Sequence, residues 1–386
     1  MARLGDVCTI VSGTTPKSGH PEYWDGDINW VTPAELTDES DTIFESQRKI
    51  TQQAVSDSSL KPFPAGTVLL SSRAPIGKVA IAGVEMYCNQ GFKNLICSDV
   101  IYNRYLYHFL KGKTDYLNSL GRGATFKEIS KSIVEGIEIP LPALDKQRRI
   151  AAVLDKVSDL IAKRRQQLDK LDELVKARFV EMFGDMVYNP QNWPTRRLEE
   201  IADIVSGITK GRKTTEQDLV EVPYMAVSNV KDGYIDWTTV KTILAAKPEI
   251  AQYHLLPDDI LMTEGGDPDK LGRGAIIQQP PENCIHQNHI FRVRLDEDVI
   301  MPIYFAEFLK HQKAKQYFLR CAKQTTGIAS INMRQLKGLP TLVPSLSIQY
   351  QFSTFATEVQ KSKVAIFCSL NKLEILKKAL QQKYFQ

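Results

Sequence analysis

Apolar residues fall at alternating steps of three and four through 145–183: Leu154, Val157, Ile161, Leu168, Leu171, Val175 and Met182. That spacing predicts one long helix with a heptad stripe, interrupted by Arg164 and Arg178 at two seam positions. The stretch contains neither Gly nor Pro. Asp145 is the expected N-cap, Gly184 stands where a C-cap is wanted, and Pro190 bars continuation. At about 1.5 Å per residue the helix is roughly 58 Å long, too long for one core. Its stripe therefore needs a partner.

The segment 345–386 supplies a matching one, again without Gly or Pro. Phe352, Phe355, Val359, Ile366, Leu373, Leu376 and Leu380 carry the stripe, with Ser362 and Ser369 as weak seam positions. Two separate surface helices, or stripes that mate with another protein, are the competing readings. The matched lengths favour an intramolecular pair.

Between the helical stretches the pattern changes to short apolar and β-branched runs bounded by Gly, Pro, Asp and Ser. In the first part these predict strands over 7–11, 28–32, 67–71, 78–82 and 94–97 and an amphipathic helix over 102–111. Ile137-Glu138-Ile139-Pro140 closes it as an extended segment, since Pro disfavours helix in the residue before it. The second part repeats the first. Ile10-Val11-Ser12-Gly13 recurs as Ile204-Val205-Ser206-Gly207, and Leu4, Trp30 and Val31 meet Leu198, Tyr224 and Met225 at the same offset. Gly77-Lys78-Val79-Ala80-Ile81 resembles Gly272-Arg273-Gly274-Ala275-Ile276, and Asn89-Gln90 resembles Gln287-Asn288. Pro142, Leu144 and Gln147 match Pro344, Leu346 and Gln349. Several matches in order mean duplication of a domain-plus-helix unit.

The expected architecture is α+β, with mixed α/β domains at 1–143 and 185–343 and long helices at 144–184 and 344–386. A helix leading from the first domain to the second, paired with one starting at the second, must be antiparallel to it. The halves are then related by a pseudo-two-fold axis, which suits a long dyadic ligand such as double-stranded DNA.

Composition changes little. Hydrophobic residues at 43% and charged ones at 24% are those of an ordinary globular protein, and no apolar run approaches the ~18 residues of a membrane span. The start of the chain has no signal-peptide core, and six scattered cysteines read as reduced thiols, so a cytoplasmic location is expected. The net charge of +4 is too small to establish a polyanion partner by itself.

Enzymatic motifs are wanting. Asn189-Pro190-Gln191 is not an adenine-methyltransferase Asp/Asn-Pro-Pro-aromatic motif, and no phosphate-binding Gly-Lys-Ser/Thr loop occurs. Glu264-Gly265-Gly266-Asp267-Pro268-Asp269-Lys270 superficially resembles a nuclease cluster and reads better as a turn. Cys284, His286 and His289 lack a fourth ligand and are poorly spaced for zinc. No catalytic, cofactor or metal residue is assigned.

The run Pro140-Leu141-Pro142-Ala143-Leu144-Asp145-Lys146-Gln147-Arg148-Arg149-Ile150, with Leu154-Asp155 and Leu160-Ile161, resembles the specificity subunit of type I restriction–modification enzymes. So do Ser12-Gly13-Thr14-Thr15-Pro16, Tyr23-Trp24, Gly26, Ile28 and Trp30. The resemblance covers essentially the whole chain. The second helix departs from the pattern, with Tyr350-Gln351-Phe352 where the first has Arg148-Arg149-Ile150, and the first unit starts abruptly at Arg3-Leu4.

The resemblance implies two target-recognition domains, each reading half of a split DNA sequence, and helices that fix the unread gap. Domain centres would lie at most about 17 base pairs apart. It also implies two docked methyltransferase subunits and, for restriction, motor-nuclease subunits; S-adenosylmethionine, ATP and Mg would belong to those partners. The competing functions are a coiled-coil adaptor that binds only protein, and a methyltransferase or nuclease with unrecognised motifs.

Base reading needs Arg or Lys for guanine and Asn or Gln for adenine. Candidates beside Gly- or Ser/Thr-rich turns are Lys17, Tyr23, Arg73, Lys78, Asn89, Gln90, Lys93, Arg122 and Lys127 in the first domain. In the second they are Lys210, Arg212, Lys213, Asn229, Lys231, Lys270, Arg273, Gln287, Asn288, Gln324 and Arg334. Trp24, Trp30 and Trp237 are expected in the core rather than stacked on bases.

Overall fold

The structure, a computed structural model, describes residues 1–37, 39–123, 127–213, 218–266, 271–325 and 328–386. The chain divides into two compact units, Met1–Gln167 with Ile366–Gln386, and Leu168–Ala365.

In the first unit a five-stranded sheet runs in the order Cys8–Ser12, Lys93–Cys97, Val68–Leu70, Val79–Ala82, Thr42–Ile43. Every pairing is antiparallel except the last. Val68, Leu70, Val79 and Ile81 face a core shared with Tyr105, Leu106, Phe109 and Leu110 of the helix Asn103–Lys111. Their neighbours Leu69, Ala80 and Ala82 face a second core with Val31, Phe63, Met86 and Phe92. Both faces of the sheet are thus buried, which is why these strands read as unbroken apolar runs rather than alternating ones. A smaller sheet pairs Trp24–Val31 with Lys49–Ile50 and, in parallel, with Tyr87–Cys88. It encloses Trp30, Ile50 and Ala54.

The second unit uses the same plan. Its main sheet orders Ala202–Ser206, Ile290–Leu295, Ile260–Thr263 and Gly274–Ile276. A smaller one joins Lys241–Ala246, Leu219–Met225 and, in parallel, Ile285–His286. The repeat extends to single hydrogen bonds. Gln147 accepts from the Tyr102 N–H at 2.8 Å and donates to the carbonyls of Val100 and Pro142 at 2.9 and 2.8 Å. Gln349 accepts from Met301 N–H at 2.9 Å and donates to Val299 and Pro344 at 3.2 and 2.7 Å. Both glutamines are fully buried. The hydroxyls of Tyr105 and Tyr304 donate to Pro140 and Leu342 carbonyls, each at 2.9 Å. One side chain thus fastens the first turn of each long helix to its domain.

The long helices are Leu144–Phe183 and Leu346–Phe385. In the first unit Ile150 and Leu154, near the start of one, share a core with Leu380, Tyr384 and Phe385 at the end of the other. In the second unit Phe179 and Phe183, at the end of the first, lie 5.3 and 5.6 Å from Phe352 near the start of the second. The helices run antiparallel. Asp145 lies inside the first turn rather than at the N-cap, where its carboxylate complements the helix dipole. Gly184 follows at φ 72°, a left-handed conformation that favours glycine.

The stripe of the second helix needs correction. Leu376 is 45% exposed whereas Leu370 is buried. After Val359 the inward positions step by four and then three, so Lys363, Leu370 and Lys377 replace Ser362, Ser369 and Leu376 at the seam. Lys363 lays its methylenes along the pair and its Nζ reaches Asp172 at 2.6 Å. Arg178 rests over Phe355, 5.9 Å from the ring centre, and Arg164 bonds Gln167 at 2.7 Å along its own helix. Leu370→Ala should therefore cost about 2–4 kcal/mol and Leu376→Ala under about 1 kcal/mol in denaturant unfolding. Equal losses would restore the uninterrupted heptad.

Among the described residues no helix is long and apolar enough to cross a membrane.

Candidate nucleic-acid interface

In the first unit the strand Val68–Leu70 runs on into Ser71, Ser72 and Arg73. The Ser72 N–H donates to Gly91 at 2.7 Å, and its carbonyl accepts from Ile129 at 3.0 Å. Arg122 and Glu128 exchange backbone bonds of 3.0 and 2.9 Å, closing the base of a loop beside them. On this frame Glu128 takes Lys93 Nζ at 3.0 Å and lies 3.8 Å from the Arg73 guanidinium. Arg73, Lys93, Arg122 and Lys127 are therefore neighbours along the chain segments that meet here, and among the described residues cations outnumber carboxylates.

Lys78 Nζ reaches the Pro33 carbonyl at 3.4 Å, and Asn89 Oδ1 accepts from Gly91 N–H at 2.9 Å. Gly91 is tight against Pro33, and Gln90 accepts from the Thr15 hydroxyl. These contacts join Lys78, Asn89 and Gln90 to the same neighbourhood. Lys17 is exposed in the loop after Thr15.

Two first-unit candidates have interior duties. Tyr23 is 8% exposed, stacks on His20 at 4.9 Å and donates to Asp57 at 3.1 Å. It belongs to the small-sheet core. Lys93, 7% exposed and tied to Glu128 and Ser72, positions the cluster rather than projecting from it. Trp30 is buried, its Nε1–H donating to Thr14 at 3.1 Å, and Trp24 is half-buried beneath Arg48, whose guanidinium stands 4.1 Å from its ring. Trp237 packs on a second-unit core.

The second unit builds the same frame from different residues. The Glu264 N–H donates to His289 at 3.0 Å and its carbonyl accepts from Ile331 at 2.8 Å, as Ser72 does with Gly91 and Ile129. Gly265–Gly266 pairs with Ile328–Ser330, which pairs with Lys323–Thr325, in place of the Arg73, Glu128 and Arg122 bridges. The Glu264 carboxylate lies 2.5 Å from His289 Nδ1, and Asn288 Nδ2 lies 3.3 Å from His289 Nε2. Gln287 accepts from Val227 N–H at 3.3 Å.

Other second-unit candidates scatter. Asn229 is fully buried, with its amide engaged by Ala226, Asp236 and Thr239 at 2.9–3.0 Å. It fixes a turn and cannot reach a ligand. Arg212 is forked onto Glu249 through Nε and Nη2, which raises its pKa above the usual guanidinium range. Arg273 lines a small cavity with Asp232, Leu309 and Lys310, its Nε buried without a partner among the described residues. Lys210 and Lys213 are exposed on either side of Gly211, Lys231 is half-buried, and Arg334 is exposed on the helix Met333–Lys337. Lys270 lies outside the described residues. Gln324 is in the strand Lys323–Thr325, its side chain outside the described part.

Cys284, His286 and His289 do not converge. Cys284 and His286 are buried, the latter facing the carbonyls of Tyr253 and Val205, while His289 is exposed beside Glu264. Among the described residues no group of three His, Cys, Asp or Glu side chains could hold a metal.

The chain, duplicated in this way, matches a family model described as the type I restriction modification DNA specificity domain, over residues 1–173 and again over 190–382. The chain belongs to this family. Each matched segment takes in one globular half and most of the long helix that follows it, as the duplication requires. The MjaIX specificity subunit of Methanocaldococcus jannaschii is 36% identical over 249 residues, covering 60% of this chain and 58% of that protein. The EcoKI specificity subunit of Escherichia coli is 22% identical over 336 residues, covering 80% of this chain and 72% of that one. With the putative MjaX subunit of the same archaeon the match covers 46% of the relative, so the chain spans about half the length of the first relatives it resembles.

A type I restriction–modification S subunit from M. genitalium superposes with a TM-score of 0.59 at 16% identity, over 100% of this chain and 95% of that one. A chain from a structure concerned with assembly and conformational transition of the type I R-M system gives 0.59 at 18%, over 99% and 96%. Both likenesses are of fold.

Sequence reasoning missed Glu264 and His289 as members of the second unit's frame. Letter matching placed Asn89-Gln90 against Gln287-Asn288 but gave no reason to align Ser72 with Glu264. The signal lay one residue further on, where Gly91 and His289 follow those pairs.

Proposed function

We propose that the chain is the sequence-specific DNA-recognition subunit of a type I restriction–modification complex. Residues 1–143 and 185–343 are the reading domains, one for each half of a bipartite site. Residues 144–184 and 344–386 set the gap and dock two methyltransferase subunits, with motor-nuclease subunits added for restriction. The chain itself is non-catalytic and acts in the cytoplasm. One observation carries this reading: the same frame, fastened by equivalent glutamines to the same kind of helix, occurs twice on helices that run antiparallel. Two similar surfaces so built suit a ligand with two reading sites.

The test is the methylated motif in DNA from cells expressing the chain with methyltransferase subunits. Two short words separated by an unread gap are expected. A single contiguous word, or methyl transfer from S-adenosylmethionine by the purified chain alone, would overturn the assignment.

Among first-unit residues Arg73 and Arg122 are best placed to fork onto guanine acceptors. Arg73→Ala should weaken binding of the complex by about 1–3 kcal/mol and relax one position of one word. Equal weakening on every duplex, measured by competition binding, would make it a phosphate contact.

A further inference from the structure

Among the described residues the two frames carry different chemistry. Where the first unit has Ser72, Gly91, Arg73 and Glu128, the second has Glu264, His289, Gly265 and Ser330. The first cluster offers chiefly cationic donors, with its one carboxylate occupied by Lys93 and Arg73. The second offers an acceptor. Glu264 is about one-third exposed and His289 holds one of its oxygens; among the described residues the other has no partner, which leaves it for a ligand.

A carboxylate beside a duplex has two fates. It is repelled by phosphates, or it accepts a hydrogen bond from a base amino group, the donor that cytosine N4 and adenine N6 present in the major groove. The backbone next to Glu264 is open on the described side: a Cβ added at Gly266 would meet nothing within 4 Å among the described residues, so nothing there blocks a ligand. Asn288, bonded through His289, completes a row of hydrogen-bonding side chains along this edge.

We infer that Glu264, oriented by His289, is a specificity-determining residue that accepts a hydrogen bond from the exocyclic amino group of one cytosine or adenine in the half-site read by the second unit. This rests on the proposed DNA-recognition function. The two halves of the site are then read with opposite polarity, donors from the protein on one side and an acceptor on the other.

The experiment uses the complex with its methyltransferase subunits and its own methylated motif. Single cytosines or adenines of each half-site are replaced by 2-pyrimidinone or purine, which lack only the amino group. One replacement should weaken binding of the unmodified complex roughly 5- to 150-fold. The same replacement should cost the Glu264→Ala complex nothing. Whether the sensitive base is a cytosine or an adenine names the donor. If every replacement penalises both complexes equally, or if the sensitive base lies in the half-site that Arg73→Ala perturbs, Glu264 does not read a base. If the unmodified complex shows no sequence preference at all, the recognition function falls and this inference with it.

Discussion

Gly207→Ala is expected to unfold the second unit under conditions where the parent is stable. A Cβ at this position would stand 1.8 Å from the His286 carbonyl oxygen and 2.5 Å from its carbon. Both are backbone atoms of a strand held on two sides. His286 pairs in parallel with Met225 in the small sheet, and its carbonyl accepts from Ile208 N–H at 3.0 Å. The Tyr224 hydroxyl closes the loop on Ile208 at 2.8 Å. Relief would require opening these bonds together, so a loss of about 4 kcal/mol or more is expected. Gly13→Ala should do the same in the first unit, with Cys88 and Asn89 carbonyls at 2.1 and 2.2 Å. Gly19 is the control: its added Cβ meets nothing within 4 Å, and Gly19→Ala should stay within about 0.5 kcal/mol. Thermal unfolding of the three variants decides it, and a Gly207→Ala as stable as Gly19→Ala would show that the strand yields.

Asp155→Ala is the second large effect. Asp155, on the first long helix, accepts from Arg104 at 2.6 and 3.2 Å and from His108 Nε2 at 2.7 Å. Arg104 also forks onto Asp41 at 2.7 and 3.0 Å. His108 is buried and its Nδ1 has no partner among the described residues, which fits a neutral ring protonated on Nε2. Removing the carboxylate leaves a buried N–H donor unmet and a half-buried guanidinium with one partner, costing about 2–4 kcal/mol.

Its pH dependence is specific. Burial lowers the His108 pKa, and the opposing bond to Asp155 does not restore it. Between that depressed value and about 6.5 the unfolded chain holds a proton that the folded one refuses, so stability falls as pH falls through this window. Burial alone would raise the Asp155 pKa, but the bonds from His108 and Arg104 outweigh it and hold the carboxyl below its ordinary range. That contribution is complete above about pH 4 and is lost as pH drops through the depressed value. His108→Gln should remove one proton's share of the slope below about pH 6.5, up to about 1.4 kcal/mol per unit. His286, pushed down to about 4 chiefly by burial, would continue to supply its share in the second unit. An unchanged slope would mean that His108 charges freely in the fold.

The elements were largely legible because each obeyed one period. Runs such as Val79–Ala82, buried on both faces, have no alternation to misread, and helices without Gly or Pro over 145–183 leave no doubt of their length. The register of the second helix was not legible beyond Val359, because Lys363 and Lys377 take seam positions that an apolar stripe assigns to Ser362 and Leu376. Lysine has methylenes enough to serve there, and a hydrophobicity pattern cannot see them. The candidate site was legible only in part. Asn229 and Arg212 look like any exposed polar residue beside a turn. What withdraws them is burial against Asp236 and Thr239 in one case and a forked bond to Glu249 in the other, both long-range facts.

Gln147 and Gln349 carry no charge, so their grip on the adjoining carbonyls should be indifferent to ionic strength and acidity. Along the helices, by contrast, Arg165 meets Glu374 at 2.9 Å and Lys363 meets Asp172 at 2.6 Å, pairs at the edge of the seam that water reaches and salt screens. Concentrated salt should then loosen the ionic contacts between the two long helices within each unit while the glutamine fastenings at their first turns hold.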